Sequence, residues 1–132
     1  MDNQQKRILI VEDDQFLREF YQELLTAEGY FIDVAPDGEI GLSKMQSNEY
    51  NLVLLDLMLP KKDGVQILRD LKKSPPKSPN ITIVILTNLG QDVVIKECFD
   101  LGANGYLIKS ALNPDQVLTE VKSYLNKSDA QN

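Results

Sequence analysis

Apolar residues recur along this chain in two rhythms. Five short runs are apolar at nearly every position: residues 8–11, 30–34, 52–55, 81–86 and 106–108. Continuous apolarity over four to six residues predicts strands buried on both faces, as in a parallel sheet covered by helices. Between them the rhythm changes to the helical one. Leu17, Phe20, Tyr21, Leu24 and Leu25 form a stripe at i, i+3, i+4, i+7 and i+8, and Gly29 is placed to end that helix. A weaker second helix is expected over residues 37–46. Val65, Leu68 and Leu71 mark a third, and Val94, Cys98 and Leu101 a fourth that stops at Gly102. Asn113, Pro114 and Gln116 supply the cap, first-turn proline and N3 glutamine of a fifth, whose buried face is Val117, Val121, Tyr124 and Leu125.

Five strand–helix units in strict alternation predict an α/β fold, a doubly wound five-stranded parallel sheet with helices on both faces. Ligands of such sheets bind beyond the carboxyl ends of the strands. The proline-bearing stretch over residues 72–80 joins a helix end to a strand start, so it belongs to the opposite edge. One domain is expected over residues 1–126, with a short polar tail over 127–132.

Composition narrows the chemistry. The 132 residues include no histidine and one cysteine, Cys98. Histidine-based triads, histidine-ligated metals and internal disulfides are therefore excluded. Cys98 lies in a helical pattern and reads as a packed side chain. Twenty acidic residues against 14 basic ones give a net charge of -6, which disfavours direct nucleic-acid binding. Lys61, Lys62, Arg69, Lys72, Lys73 and Lys77 have no interleaved aromatics and read as a solvated helix face and loop. The polar start has no secretory h-region, and no apolar run reaches a membrane span; a cytoplasmic location is expected, away from any membrane.

The strand ends carry the candidate chemistry. The first strand ends in Glu12, Asp13 and Asp14, the third in Asp56, the fourth in Thr87 and the fifth in Lys109. If the first and third strands are neighbours, carboxylates from distant positions converge and repel. A divalent cation relieves that conflict: two carboxylates, a backbone carbonyl and waters suit Mg2+. Lys109 and Thr87 would complete a cradle for a tetrahedral oxyanion on Asp56. Singly, each residue has a plainer reading: Asp13 or Asp14 as a helix N-cap, Thr87 as a strand end, Lys109 as a surface lysine. Asp56, after a buried strand, is the hardest to explain that way.

Together these residues resemble the receiver domain of two-component response regulators. The motifs are 8–14 with Glu12, Asp13 and Asp14; Leu55-Asp56-Leu57-Met58-Leu59-Pro60 with Asp63-Gly64; Leu86-Thr87; and the segment 102–109 ending in Lys109. The resemblance implies a flavodoxin-like (βα)5 fold with strand order 2-1-3-4-5. It implies that Asp56 is the phosphoacceptor, taking a phosphoryl group from a phosphohistidine on a sensor histidine kinase or histidine phosphotransfer protein. Mg2+ would be held by Asp13, Asp14, Asp56 and the Met58 carbonyl, with Asp14 favoured as the direct ligand. Lys109 would pair with a phosphoryl oxygen. Thr87 would turn its hydroxyl onto another, and Tyr106 would move with it. A downstream protein would read the helix 4–strand 5–helix 5 face. On this reading the chain is no enzyme beyond catalysing its own phosphorylation and dephosphorylation.

Two departures from the family pattern stand out. Ser110 follows Lys109 where the family usually has a proline after a cis peptide. Asn104-Gly105 replaces the acidic residues that one transcription-factor subfamily carries before strand five, so that dimer mode is not expected. Met58 and Leu89 occupy positions that influence phosphoryl hydrolysis, and neither side chain orients a water; a long-lived phosphoryl state is expected. The short sequence after residue 126 favours a stand-alone signalling module, with a fragment of a longer DNA-binding transcriptional regulator or a non-phosphorylated pseudo-receiver as alternatives. A phosphatase with an Asp-x-Asp nucleophile after strand one does not fit Glu12-Asp13-Asp14-Gln15. A flavin or nucleotide binder would need a Gly- or Ser-rich loop there.

Overall fold

The computed structural model describes residues 5–88, 90–109 and 113–130. The elements alternate as the periodicity predicts: β1 (Arg7–Val11), α1 (Gln15–Ala27), β2 (Phe31–Ala35), α2 (Gly38–Ser47), β3 (Leu52–Asp56), α3 (Gly64–Lys73), β4 (Thr82–Thr87), α4 (Asp92–Asp100), β5 (Gly105–Ile108) and α5 (Pro114–Ala130). All strand pairs are parallel, in the order β2-β1-β3-β4-β5. This is the order the resemblance implied. No helix among the described residues is long and apolar enough to cross a membrane.

The continuous apolar runs serve two cores at once, because successive strand side chains face opposite ways. Ile8, Ile10, Leu52, Leu54, Val84, Leu86 and Leu107 pack against Tyr21 and Leu25 of α1 and Val117, Val121 and Leu125 of α5. Leu9, Val11, Val53, Leu55, Ile83 and Ile85 pack on the other face against Met45 of α2, Ile67 and Leu68 of α3 and Cys98 of α4. The central strands β1, β3 and β4 are almost wholly buried, whereas the edge strands β2 and β5 are partly open. Burial pushes the Cys98 thiol up to about 11, in keeping with a packed, unreactive side chain.

Local signals set the helix ends. Asp14, Asp37 and Asp63 cap α1, α2 and α3 by accepting the N–H three residues on. Asn113 and Gln116 exchange side chain-to-backbone bonds of 2.8 and 2.9 Å, the capping box the sequence predicts for α5. Gly29 and Gly102 follow α1 and α4 at φ of 97° and 108°, a conformation that favours glycine. Helix α5 runs on to Ala130, through residues 127–130 of the polar stretch, which contain no proline or glycine to stop it. The 74–81 connection lies at the amino edge of the sheet, tied there by Lys77 N–H to the Met45 carbonyl and by Tyr50 N–H to Ser78 Oγ.

Candidate functional site

At the carboxyl edge of the sheet a cleft of about 500 Å3 is lined by Glu12, Asp13, Asp14, Leu17, Asp56, Met58, Asn88 and Lys109. Strand parity explains its centre. Glu12 continues the Ile8, Ile10 row of β1, Asp56 the Leu52, Leu54 row of β3, and Lys109 the Leu107 position of β5. All three therefore leave the sheet on the α1/α5 side, one step beyond the apolar core, where polar groups from three strands meet.

Lys109 Nζ sits 2.8 Å from Asp56 Oδ2 and 2.9 Å from Glu12 Oε1. Both carboxylates are nearly inaccessible, Glu12 at 0% and Asp56 at 3% exposure. Asp56 Oδ1 accepts from Met58 N–H at 3.2 Å, and Glu12 Oε2 from Asp14 N–H at 3.1 Å. Glu12 Oε1 makes an ion-pair contact with the lysine but no aligned hydrogen bond. Burial pushes the Glu12 carboxyl above the ordinary range, against the opposing pull of Lys109. Burial works against the Lys109 ammonium, but its contacts with the Asp56 and Glu12 carboxylates outweigh that and hold its pKa above the usual lysine value.

Carboxylate oxygens of Glu12, Asp13 and Asp56 lie within 4.8 Å of one another. Of the predicted ligands, Asp14 also lines the cleft, its Oδ1 accepting the Leu17 N–H at 3.1 Å as the α1 cap, while the third carboxylate of the close cluster is Glu12. The reason is local: the first apolar stripe residue, Leu17, is N3 of the helix, so the residue three before it is engaged by the backbone. Arg18 fixes this turn, its Nη1 donating to the Glu12 carbonyl at 3.0 Å and the Asp13 carbonyl at 3.3 Å.

The donor set suits a hard cation. It is all oxygen, it holds three carboxylates against one lysine, and one buried carboxylate oxygen has no hydrogen bond. The Met58 side chain is 65% exposed at the lip of the cleft. Leu89 and the Lys109–Ser110 peptide lie outside the described residues.

Thr87 has the other parity. It follows Ile83 and Ile85, so its side chain leaves toward the α4 side, buried at 1% exposure. Its hydroxyl donates to Gln91 Oε1 at 2.5 Å and lies 3.2 Å from the Asn88 carbonyl. Tyr106 is 42% exposed and rests edge-on against Phe99 of α4, ring centroids 6.2 Å apart.

The sequence model of the response regulator receiver domain matches residues 8–122. The chain belongs to that family. Its receiver domain is 36% identical over 116 residues to the transcriptional regulatory protein DltR of Streptococcus agalactiae, covering 88% of this chain and 50% of that protein. It is 35% identical over 127 residues to the response regulator ArlR of Staphylococcus saprophyticus, covering 96% of this chain and 55% of that one. The chain thus spans about half the length of the curated relatives it matches. Among solved structures, a CheY-like receiver domain protein from Methanospirillum hungatei superposes with a TM-score of 0.88 at 28% identity, covering 98% of this chain and 100% of that one. A response regulator structure from Chloroflexus aurantiacus gives 0.82 at 28% identity, covering 93% and 99%. The receiver domain is a module of two-component signalling.

Proposed function

We propose that this receiver domain accepts a phosphoryl group on Asp56 from a phosphohistidine of a sensor kinase or histidine phosphotransfer protein. The observation that carries the reading is the buried Asp56 carboxylate, paired with Lys109 at 2.8 Å beside two further carboxylates. In the transfer, an Asp56 oxygen forms a bond to phosphorus while the phosphorus–nitrogen bond of the donor breaks, and the imidazole leaves to take its proton from solvent. Lys109 is placed to follow the charge from the carboxylate onto the phosphoryl oxygens. Asp13, Asp56 and the Met58 carbonyl would hold Mg2+, with Glu12 behind them; the ion would neutralise the charge developing on the transferred group. Met58 N–H and Arg18 keep the Asp56 carboxylate and the acidic turn in position.

Thr87 and Tyr106 form the switch on this reading. A phosphoryl group adds a charge of about -1.5 to -2. Thr87 turns to meet it, and the Tyr106 ring leaves Phe99 for the space vacated. The α4–β5–α5 face then changes for a downstream protein. The relative DltR, named a transcriptional regulatory protein, supports a second reading of the output, in which the same chemistry controls a longer DNA-binding protein.

The deciding experiment is intact mass after incubation with Mg2+ and a small phosphodonor. One added phosphoryl group, abolished by Asp56→Asn and by EDTA, is the expected result. A folded, Mg2+-binding protein that gains no mass from either a small donor or a phosphorylated histidine phosphotransfer protein would overturn the assignment.

A further inference from the structure

The β4–α4 junction contains an arrangement that the phosphoacceptor chemistry alone does not require. Helices α1, α2, α3 and α5 begin at an Asp or Asn whose side chain caps the first turn. Helix α4 begins at Gln91, and no side-chain cap bond is formed there. Gln91 instead turns its amide oxygen back toward the strand. Oε1 accepts the Thr87 hydroxyl at 2.5 Å and the Asn88 N–H at 3.1 Å. One oxygen thus ties the last residue of β4 to the start of α4.

We propose that Gln91 is a latch on Thr87, a positioning residue that holds the hydroxyl in its resting direction and so sets how readily Asp56 takes up a phosphoryl group. This rests on the phosphoacceptor reading of Asp56. Three features argue for it. The Thr87 hydroxyl is buried and has a single proton to give, so donation to Gln91 and donation to a phosphoryl oxygen exclude each other. A buried hydroxyl without a partner is costly, so the resting direction is held for as long as Gln91 offers the better acceptor. When Thr87 leaves, Gln91 Oε1 keeps the Asn88 N–H, so release strands no acceptor. The two directions are therefore close enough in energy to be shifted by a new charge at Asp56.

The test is a cycle of variants, each checked for an unchanged thermal melt. Gln91→Met removes the nearer acceptor at nearly constant length and leaves only the more distant Asn88 carbonyl at 3.2 Å. Gln91→Glu keeps an acceptor oxygen at the same reach. Uptake from a limiting small phosphodonor with Mg2+ is followed by intact mass. Losing one neutral hydrogen bond from the resting state corresponds to a rise of roughly threefold to tenfold in the uptake rate for Gln91→Met. Gln91→Glu, a charged and stronger acceptor, does not accelerate uptake. In a Thr87→Val background, where no hydroxyl remains to be held, Gln91→Met changes the rate by less than about twofold. An unchanged or slower rate in folded Gln91→Met, or the same acceleration in the Thr87→Val background, would overturn the latch while leaving Asp56 as acceptor. A wild type that takes up no phosphoryl group from any donor overturns both readings. A second measurement needs no Gln91 variant: the Gln91 side-chain amide resonances shift on phosphorylation and already lie near that shifted position in Thr87→Val. Resonances that stay in place would refute the latch.

Discussion

The contact between Lys109 and the two buried carboxylates allows a sharp test of the site's electrostatics. Lys109→Met preserves the apolar stem of the side chain and removes the ammonium. Glu12 and Asp56 then share the end of the sheet with 0% and 3% exposure and no cation. Removing one member of a buried, hydrogen-bonded charge pair typically costs about 3–5 kcal/mol. The variant has an escape, because Glu12 can take up a proton. Burial already pushes its carboxyl above the ordinary glutamate range, so taking up a proton limits the loss, and limits it more as pH falls.

The sign follows from linkage. A carboxyl whose folded pKa is raised binds more protons folded than unfolded, so its folded state is favoured below the unfolded pKa and loses stability as pH rises toward the folded pKa. Lys109→Met should therefore lose stability against the wild type at pH 7 in EDTA, by up to about 3–5 kcal/mol, and lose less at pH 5.5. The assay is urea unfolding followed by circular dichroism at both pH values, with and without Mg2+. Mg2+ should recover more stability in the variant than in the wild type, since the variant cleft is the more negative. A loss below 1 kcal/mol at pH 7, or one independent of pH, would refute the claim that Lys109 neutralises this cluster. Lys109→Arg, which keeps the charge, should lose less than Lys109→Met.

Other outcomes follow from the same geometry. Met58→Asn places an amide at the lip of the cleft, able to orient a water as methionine is not, and should shorten the phosphoryl lifetime roughly fivefold in a single-turnover decay assay; a wild-type half-life of seconds would contradict the reading. Asp33, although partly desolvated, is held below its ordinary pKa by Lys44 at 2.7 Å and the Tyr50 hydroxyl at 2.6 Å. Its contribution is present above the unfolded pKa and is lost as pH falls through the depressed folded value, so Asp33→Asn should cost roughly 2 kcal/mol at pH 7 and flatten the acid limb of the stability curve. Burial, then the bond to Asp33, pushes the Tyr50 hydroxyl up to about 12, so it remains a donor across that range. Cys98 should resist thiol reagents in the native state and react only on unfolding; rapid modification of native protein would contradict its burial.

Much of the fold was legible because a doubly wound sheet writes itself as a change of period. The runs at β1, β3 and β4 are continuous because they feed two cores, and the helix stripes are amphipathic because each helix feeds one. The edge strands were weaker signals for the same reason: β2 and β5 are covered less completely, so Asp33 interrupts β2 and only three apolar residues mark β5. The candidate site was legible as a set of strand ends, but acidity alone does not distinguish Glu12, Asp13 and Asp14. Two physical signals in the sequence bear on it. Alternation carries the Ile8, Ile10 row to Glu12, on the face where Leu52 and Leu54 lead to Asp56. Counting back from the stripe at Leu17 makes Asp14 the helix cap, which engages its carboxylate with Leu17 N–H.

The same alternation separates the residues of the cleft into two groups. Glu12, Asp56 and Lys109 share the α1/α5 side and form one charged cluster at the sheet's end. Thr87, of opposite parity, points toward α4 and finds its partner at Gln91. A residue on the charged side would be locked by Lys109 or by a cation and would have no second position. A residue on the α4 side stands beside the acceptor without belonging to its ion pairs, bound by one neutral hydrogen bond of modest net strength. On the proposed reading, charge on Asp56 would move Thr87 without breaking the cluster that holds Asp56, and motion of Thr87 would reach α4 because its resting partner is that helix's N-cap residue. Gln91 had no distinguishing pattern in sequence: its role depends on a glutamine turning backward from a cap position, which only the folded β4–α4 junction reveals.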